Sequence, residues 1–229
     1  VGRYLLSLAR DKDVIMVNRQ QIEWRNRNFL RGLAIGALVL TFFGAGWAIA
    51  PALLLTTSSG ATALALIVVA LITVALVVGC LALLRDAQRI PVDSSPKALA
   101  RGRALGRRLG IGFGVVFGSE ALFIALASII LSANGLDDFI VPVIALIVGL
   151  HFLPLAWLFD VSIYYVTGAL ISLVAIITVL AIPRTATVNG APLWVIVPAT
   201  GSAVVLWLTA AVALLLGRRA ADITLASWR

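Results

Sequence analysis

Two side chains decide what chemistry this chain can do inside its apolar segments. Glu120 is the one acidic residue well within an apolar run, and His151 is the only histidine among 229 residues. Ionisable groups are costly in hydrocarbon, so at such depth they face protein or a polar cavity and mark substrate or proton paths. Side by side, a carboxylate and an imidazole could share or relay a proton. They could equally form a hydrogen-bonded lock between two helices, since structural pairs use the same groups as active ones. Three residues past His151, Pro154 removes the helix bond to the carbonyl of Leu150, which favours a kink and makes Pro154 a candidate hinge. Asp160 clusters with Tyr164 and Tyr165 at a tight turn. It is a further substrate-facing candidate, although an acid and two tyrosines also make an interfacial turn with its aromatic belt.

The other constellations that support catalysis are missing. With Cys80 the single cysteine, an intrachain disulfide or a multi-thiolate metal site is impossible within one chain. There is no His-Glu-x-x-His helix, no paired acidic motif, no phosphate loop, and no second histidine for a Ser/His site or a bis-histidine haem. No metal and no cofactor is expected, and enzyme readings are disfavoured.

The elements that must position these residues follow from composition. Hydrophobic residues make up 62% and charged ones 12%, about half the roughly 25% charge of a soluble domain. The apolar residues fall in runs near twenty long, the length that crosses about 30 Å of hydrocarbon at about 1.5 Å per residue. Runs at about 30–55, 61–84, 109–131, 139–159, 162–182 and 193–216 predict an all-α, polytopic bundle of six transmembrane helices in three hairpins. The expected organisation is a basic segment over 1–29, a transmembrane domain over 30–217 and a short tail over 218–229.

Charge sets the expected orientation. Of eighteen basic residues, seven lie at or before Arg31, seven between Arg85 and Arg108, and three at Arg218, Arg219 and Arg229; only Arg184 falls in an alternate loop. The positive-inside rule therefore puts both termini in the cytoplasm. The net charge of +8 is then a consequence of topology, so it carries no case for nucleic acid. Within the first segment, Val14, Val17 and Trp24 share a helical face among Arg19, Arg25 and Arg27, as in an amphipathic helix lying on anionic lipid. A solvated arm is the alternative. The chain begins at Val1 where Met is expected, an alternative start or a slight truncation, and no cleavable signal peptide is evident ahead of the first long run.

Glycine recurs at Gly102, Gly106, Gly110, Gly114 and Gly118, a spacing of four that keeps all five on one helix face. Small residues let helix backbones approach closely in lipid, so this face is expected to carry the tightest helix contact, with another span or a second copy of the chain. Glu120 lies about 200° around the helix from Gly118. The third helix is therefore expected to be central, with protein on both sides. Glu120 should sit about 16 Å and His151 about 12 Å from the cytoplasmic ends of their spans, at comparable depth on neighbouring antiparallel helices.

The stretch His151-Phe152-Leu153-Pro154-Leu155-Ala156, with Tyr164-Tyr165-Val166-Thr167-Gly168 after it, resembles a segment of small uncharacterised bacterial multi-pass membrane proteins. The resemblance implies a bacterial cytoplasmic-membrane protein and no particular activity. Three functions stay open: a small transporter or channel-like protein using Glu120 and His151; a non-catalytic scaffold or partner subunit assembling through the glycine face; and a permease subunit of an ATP-driven exporter. The lipid bilayer is the expected partner, with a homo-oligomer or a membrane partner protein as a further expectation.

Overall fold

The computed structural model describes the backbone of residues 2–56, 58–90 and 96–226, and side chains between residues 27 and 223 of those stretches except 98 and 101. Six long helices follow one another: α1 (Gly2–Leu54), α2 (Ser59–Arg89), α3 (Pro96–Ala133), α4 (Ile140–Phe159), α5 (Ile163–Ala181) and α6 (Leu193–Ala226). Each contains a stretch long and apolar enough to cross a membrane. Outward-facing side chains are apolar too, with Leu180 80% and Trp157 76% exposed. Such a surface is stable only in lipid, so the chain is a multi-pass membrane protein. The amphipathic face expected over 1–29 falls almost wholly on side chains outside the described residues.

Local chemistry sets the helix ends. Ser58 caps α2, its hydroxyl accepting from the Ala61 N–H at 3.3 Å. Between α4 and α5, Asp160 takes the left-handed conformation (φ 55°), and its N–H and that of Val161 both donate to the Ala156 carbonyl. Aspartate tolerates that conformation better than most residues, which lets two helices reverse within a few residues. Between α5 and α6, Asn189-Gly190 turns a two-residue hairpin joining β1 (Thr187–Val188) to β2 (Ala191–Pro192). The hairpin is tied to the first helical pair by the Asn189 side chain, which donates to the Leu55 carbonyl at 3.1 Å.

Packing is built on small residues. The helix α1 lies along α6 through Ala34, Ala37, Ala210 and Ala213, all essentially inaccessible. Gly44 receives the Trp207 indole, whose Nε1–H donates to the Thr41 carbonyl at 3.2 Å. Further along, α5 joins α6 through a buried bond between the Thr167 and Thr209 hydroxyls at 2.8 Å. The closest backbone approach is between α4 and α5: a Cβ at Gly149 would meet the Ser172 nitrogen at 2.8 Å and the Gly168 carbonyl oxygen at 2.9 Å.

Of two expectations for α3, its central position is corrected, and the glycine face finds no partner span within the chain. A Cβ at Gly106, Gly110, Gly114 or Gly118 would meet nothing within 4 Å, so among the described residues this glycine face contacts no other helix of the chain, and the close glycine contacts lie at Gly149 and Gly168. Nor is α3 central. It packs chiefly against α4, using the other side of the helix, where Gly112 receives the Leu158 side chain. The periodicity of four gives one smooth face, but a smooth face needs a partner, and among the described residues of this chain none is folded against it.

Candidate functional site

Glu120 stands at mid-length in α3 and His151 at mid-length in α4. The antiparallel α3–α4 hairpin brings the two side chains together at 3.5 Å, Glu120 Oε2 to His151 Nδ1. Both side chains are 8% exposed. The separation suits an ion pair and is too long for a well-made hydrogen bond, and His151 Nδ1 has no hydrogen-bond partner. The Val116 backbone, one turn before Glu120, also approaches the imidazole. Phenylalanine rings flank it edge-on, Phe117 with centroids 6.4 Å away and Phe152 at 5.9 Å.

The pair is not sealed in a core. It borders a cavity of about 570 Å³ between α1 and α3, floored by α4, Tyr164 of α5 and Leu206 of α6. The cavity runs from Asn28, Leu105 and Phe159 to Phe43, Phe117 and Glu120. That course spans about 22 Å along α1, from Asn28 to Phe43 at about 1.5 Å per residue. Its walls are mainly apolar and include six phenylalanines and Tyr164. Where it ends, α1 and α3 meet through the rings of Phe43 and Phe117, edge to face with centroids 5.9 Å apart. Beyond Phe43, toward the opposite ends of the helices, lies a second, shallow cavity, largely open at the surface and lined by Trp47, Ala50, Val141 and Val195. Phe43 borders both cavities.

The other predicted residues fall away from this centre. Asp160 is exposed at its turn and serves there as a helix cap. Pro154 lies one turn beyond His151 on an exposed side of α4, and the helix continues through it without interruption from Ile140 to Phe159. Among the described residues no group of three His, Cys, Asp or Glu gathers at the pair.

Residues 109–214 match the profile of a family of unknown function, DUF7010. The matched stretch contains both Glu120 and His151 and extends through most of α6. It supports an uncharacterised family and supplies no chemistry. No curated protein and no solved structure matches the chain.

Sequence reading misplaced Tyr164 in the interfacial belt. It is 6% exposed, and its hydroxyl sits against Gly36 of α1, where a Cβ would force it to shift. The signal was available in the spacing of Tyr164, Thr167, Gly168, Ile171, Ala175 and Thr178, which forms the buried stripe of α5. Its neighbour Tyr165, 46% exposed, is the outward-facing one. Phe43 and Phe117 carried no such signal, since a phenylalanine in a membrane helix is ordinary until its partner across the gap is known.

Proposed function

We propose that the protein is a small membrane transporter, with the Glu120–His151 pair as the polar end of its substrate path. The observation that supports this most directly is the cavity that runs partway along the bundle to Phe43, with the two ionisable side chains on its wall and an open depression on the other side of Phe43. Here the carboxylate and imidazole border space that a small molecule can enter, as substrate-facing groups in membrane helices do. In this reading the Phe43–Phe117 contact is the barrier between the half-paths, and Pro154 is the hinge of α4 that lets it part.

The charge distribution supports both termini in the cytoplasm, and in this reading the larger cavity, with Asn28 and Phe159 at its mouth, opens toward the cytoplasmic side. Reporter fusions at residues 97 and 225 should read cytoplasmic and those at 58, 136 and 188 external. An external reading at 97 reverses the orientation.

The transport reading is tested at the barrier. Phe43→Ala removes a ring shared by the two cavities and should raise passive leak through proteoliposomes severalfold, while Phe42→Ala, its neighbour lining only the outer cavity, should raise it little. Equal leak from both variants would remove Phe43 as the barrier. A second reading has its own support: the open face of Gly106, Gly110, Gly114 and Gly118 offers a smooth helix surface to a second copy or another membrane protein. The two are compatible at Gly106, Gly114 and Gly118, which do not line the cavity, whereas Gly110 does.

A further inference from the structure

We infer that the Glu120–His151 end of the larger cavity binds a lipophilic organic cation, one monovalent cation replacing one proton. The inference rests on the transport reading for its route, but its binding site stands on geometry alone. The cavity offers a ligand three things at its blind end. There is a carboxylate that accepts no hydrogen bond from any described residue. There is an imidazole nitrogen, nine-tenths buried and without a hydrogen-bond partner. There are also the π faces and edges of Phe43, Phe113, Phe117 and Phe152. Aromatic rings around a carboxylate suit a large, weakly hydrated cation, which is attracted to ring faces as well as to the negative charge. An anionic head would instead face Glu120 at close range with only one imidazole to offset it.

Charge balance gives the exchange. Holding one proton between them, Glu120 and His151 are neutral as a unit, whether the proton sits on oxygen or on nitrogen. A cation entering while that proton stays would leave an uncompensated positive charge in a low-dielectric site, which is strongly unfavourable. If the proton leaves, carboxylate and cation are neutral together and the imidazole is a neutral acceptor. Nothing else nearby can take that role. Among the described residues Tyr164 is the only other titratable side chain lining the cavity; α1 and α6 contribute none there. Arg27 and Arg31 on α1 and Arg103, Arg107 and Arg108 on α3 stand near the mouth without lining it. The nearest of the α3 arginines, Arg108, is about 18 Å along the helix from Glu120.

Two probes of nearly the same shape and opposite charge decide the matter: tetraphenylphosphonium and tetraphenylborate, titrated calorimetrically into the full-length protein in neutral detergent. Tetraphenylphosphonium should bind with one proton released, counted by repeating the titration in buffers of different ionisation enthalpy. Its affinity should rise toward tenfold per pH unit while the pair still holds its proton, and tetraphenylborate should not compete. Glu120→Gln should weaken the cation by at least about 100-fold. Glu120→Asp, which keeps the charge, should retain binding. Should Glu120→Gln not fold, Phe117→Leu decides, since it leaves the pair in place: an approximately tenfold loss of cation affinity with the proton count still one is expected. Equal binding of both probes, binding without proton release, or unchanged affinity in a folded Glu120→Gln protein overturns the inference. The two readings fail separately. Cation-for-proton exchange at the site without flux in proteoliposomes would remove the transporter and leave the cation site, whereas pH-driven flux of other solutes without tetraphenylphosphonium binding would do the reverse.

Discussion

Replacing Gly149 with leucine is expected to destroy the fold. A single Cβ at this position would lie 2.8 Å from the Ser172 backbone nitrogen and 2.9 Å from the Gly168 carbonyl oxygen. These are backbone atoms of a packed helix and cannot rotate away. Accommodating a whole leucine side chain requires α4 and α5 to separate, and α5 is held in turn to α6 by the Thr167–Thr209 bond. The expected loss is at or beyond the 4–5 kcal/mol or so that marks exceptional substitutions. Gly168→Leu should behave the same way, because its Cβ would meet the Gly149 carbonyl oxygen and Phe152. Gly114→Leu is the contrasting case. With nothing within 4 Å of its Cβ, the monomer should keep its stability within about 1 kcal/mol, the scale of a glycine's helix propensity. Denaturant or thermal titration in detergent, with light scattering for oligomeric state, separates the outcomes. A stable Gly149→Leu protein would contradict the α4–α5 contact, and a Gly114→Leu protein that unfolds would contradict the open face of α3. If Gly114→Leu leaves the monomer intact but dissociates an oligomer, α3 is an assembly surface.

A double-mutant cycle at Glu120 and His151 should show strong coupling. At 3.5 Å, with both side chains 8% exposed, either group alone is left beside a neutral amide in Glu120→Gln or His151→Gln, and each single change loses most of what the pair contributes. The double variant should therefore cost much less than the sum, with a coupling energy of about 0.5–3 kcal/mol. The same variants should abolish the pH dependence of flux between pH 5 and 8, the range in which an imidazole changes charge. Strictly additive effects would mean that the two groups act independently despite their proximity. Coupled stability with no pH-dependent flux would make the pair a lock between α3 and α4, and would withdraw the principal support for transport.

Much of this protein is determined locally, residue by residue. Six apolar runs of membrane length form six helices because in lipid each backbone polar group must be satisfied within its own segment. Helix identity therefore depends little on what else is nearby. The meeting of Glu120 and His151 was legible for a related reason. A short connection between Ala133 and Ile140 forces an antiparallel hairpin, and equal depth then follows from counting at constant rise per residue.

What the tertiary structure alone decided is which faces found partners. Hydrophobicity cannot rank the faces of a membrane helix, since lipid is as good a surroundings for leucine as another helix is. The glycine stripe of α3 looked like the strongest packing signal in the chain, yet the close contact formed at Gly149 and Gly168, two lone glycines on adjoining helices whose register happens to place them opposite each other. Tyr164 points inward because Gly36 leaves room for its hydroxyl. Phe43 borders two cavities because its ring crosses to Phe117 of α3 on one side while α4 and α6 leave a depression on the other. These are properties of two helices at once, and the spacing of residues along either one carries no record of them.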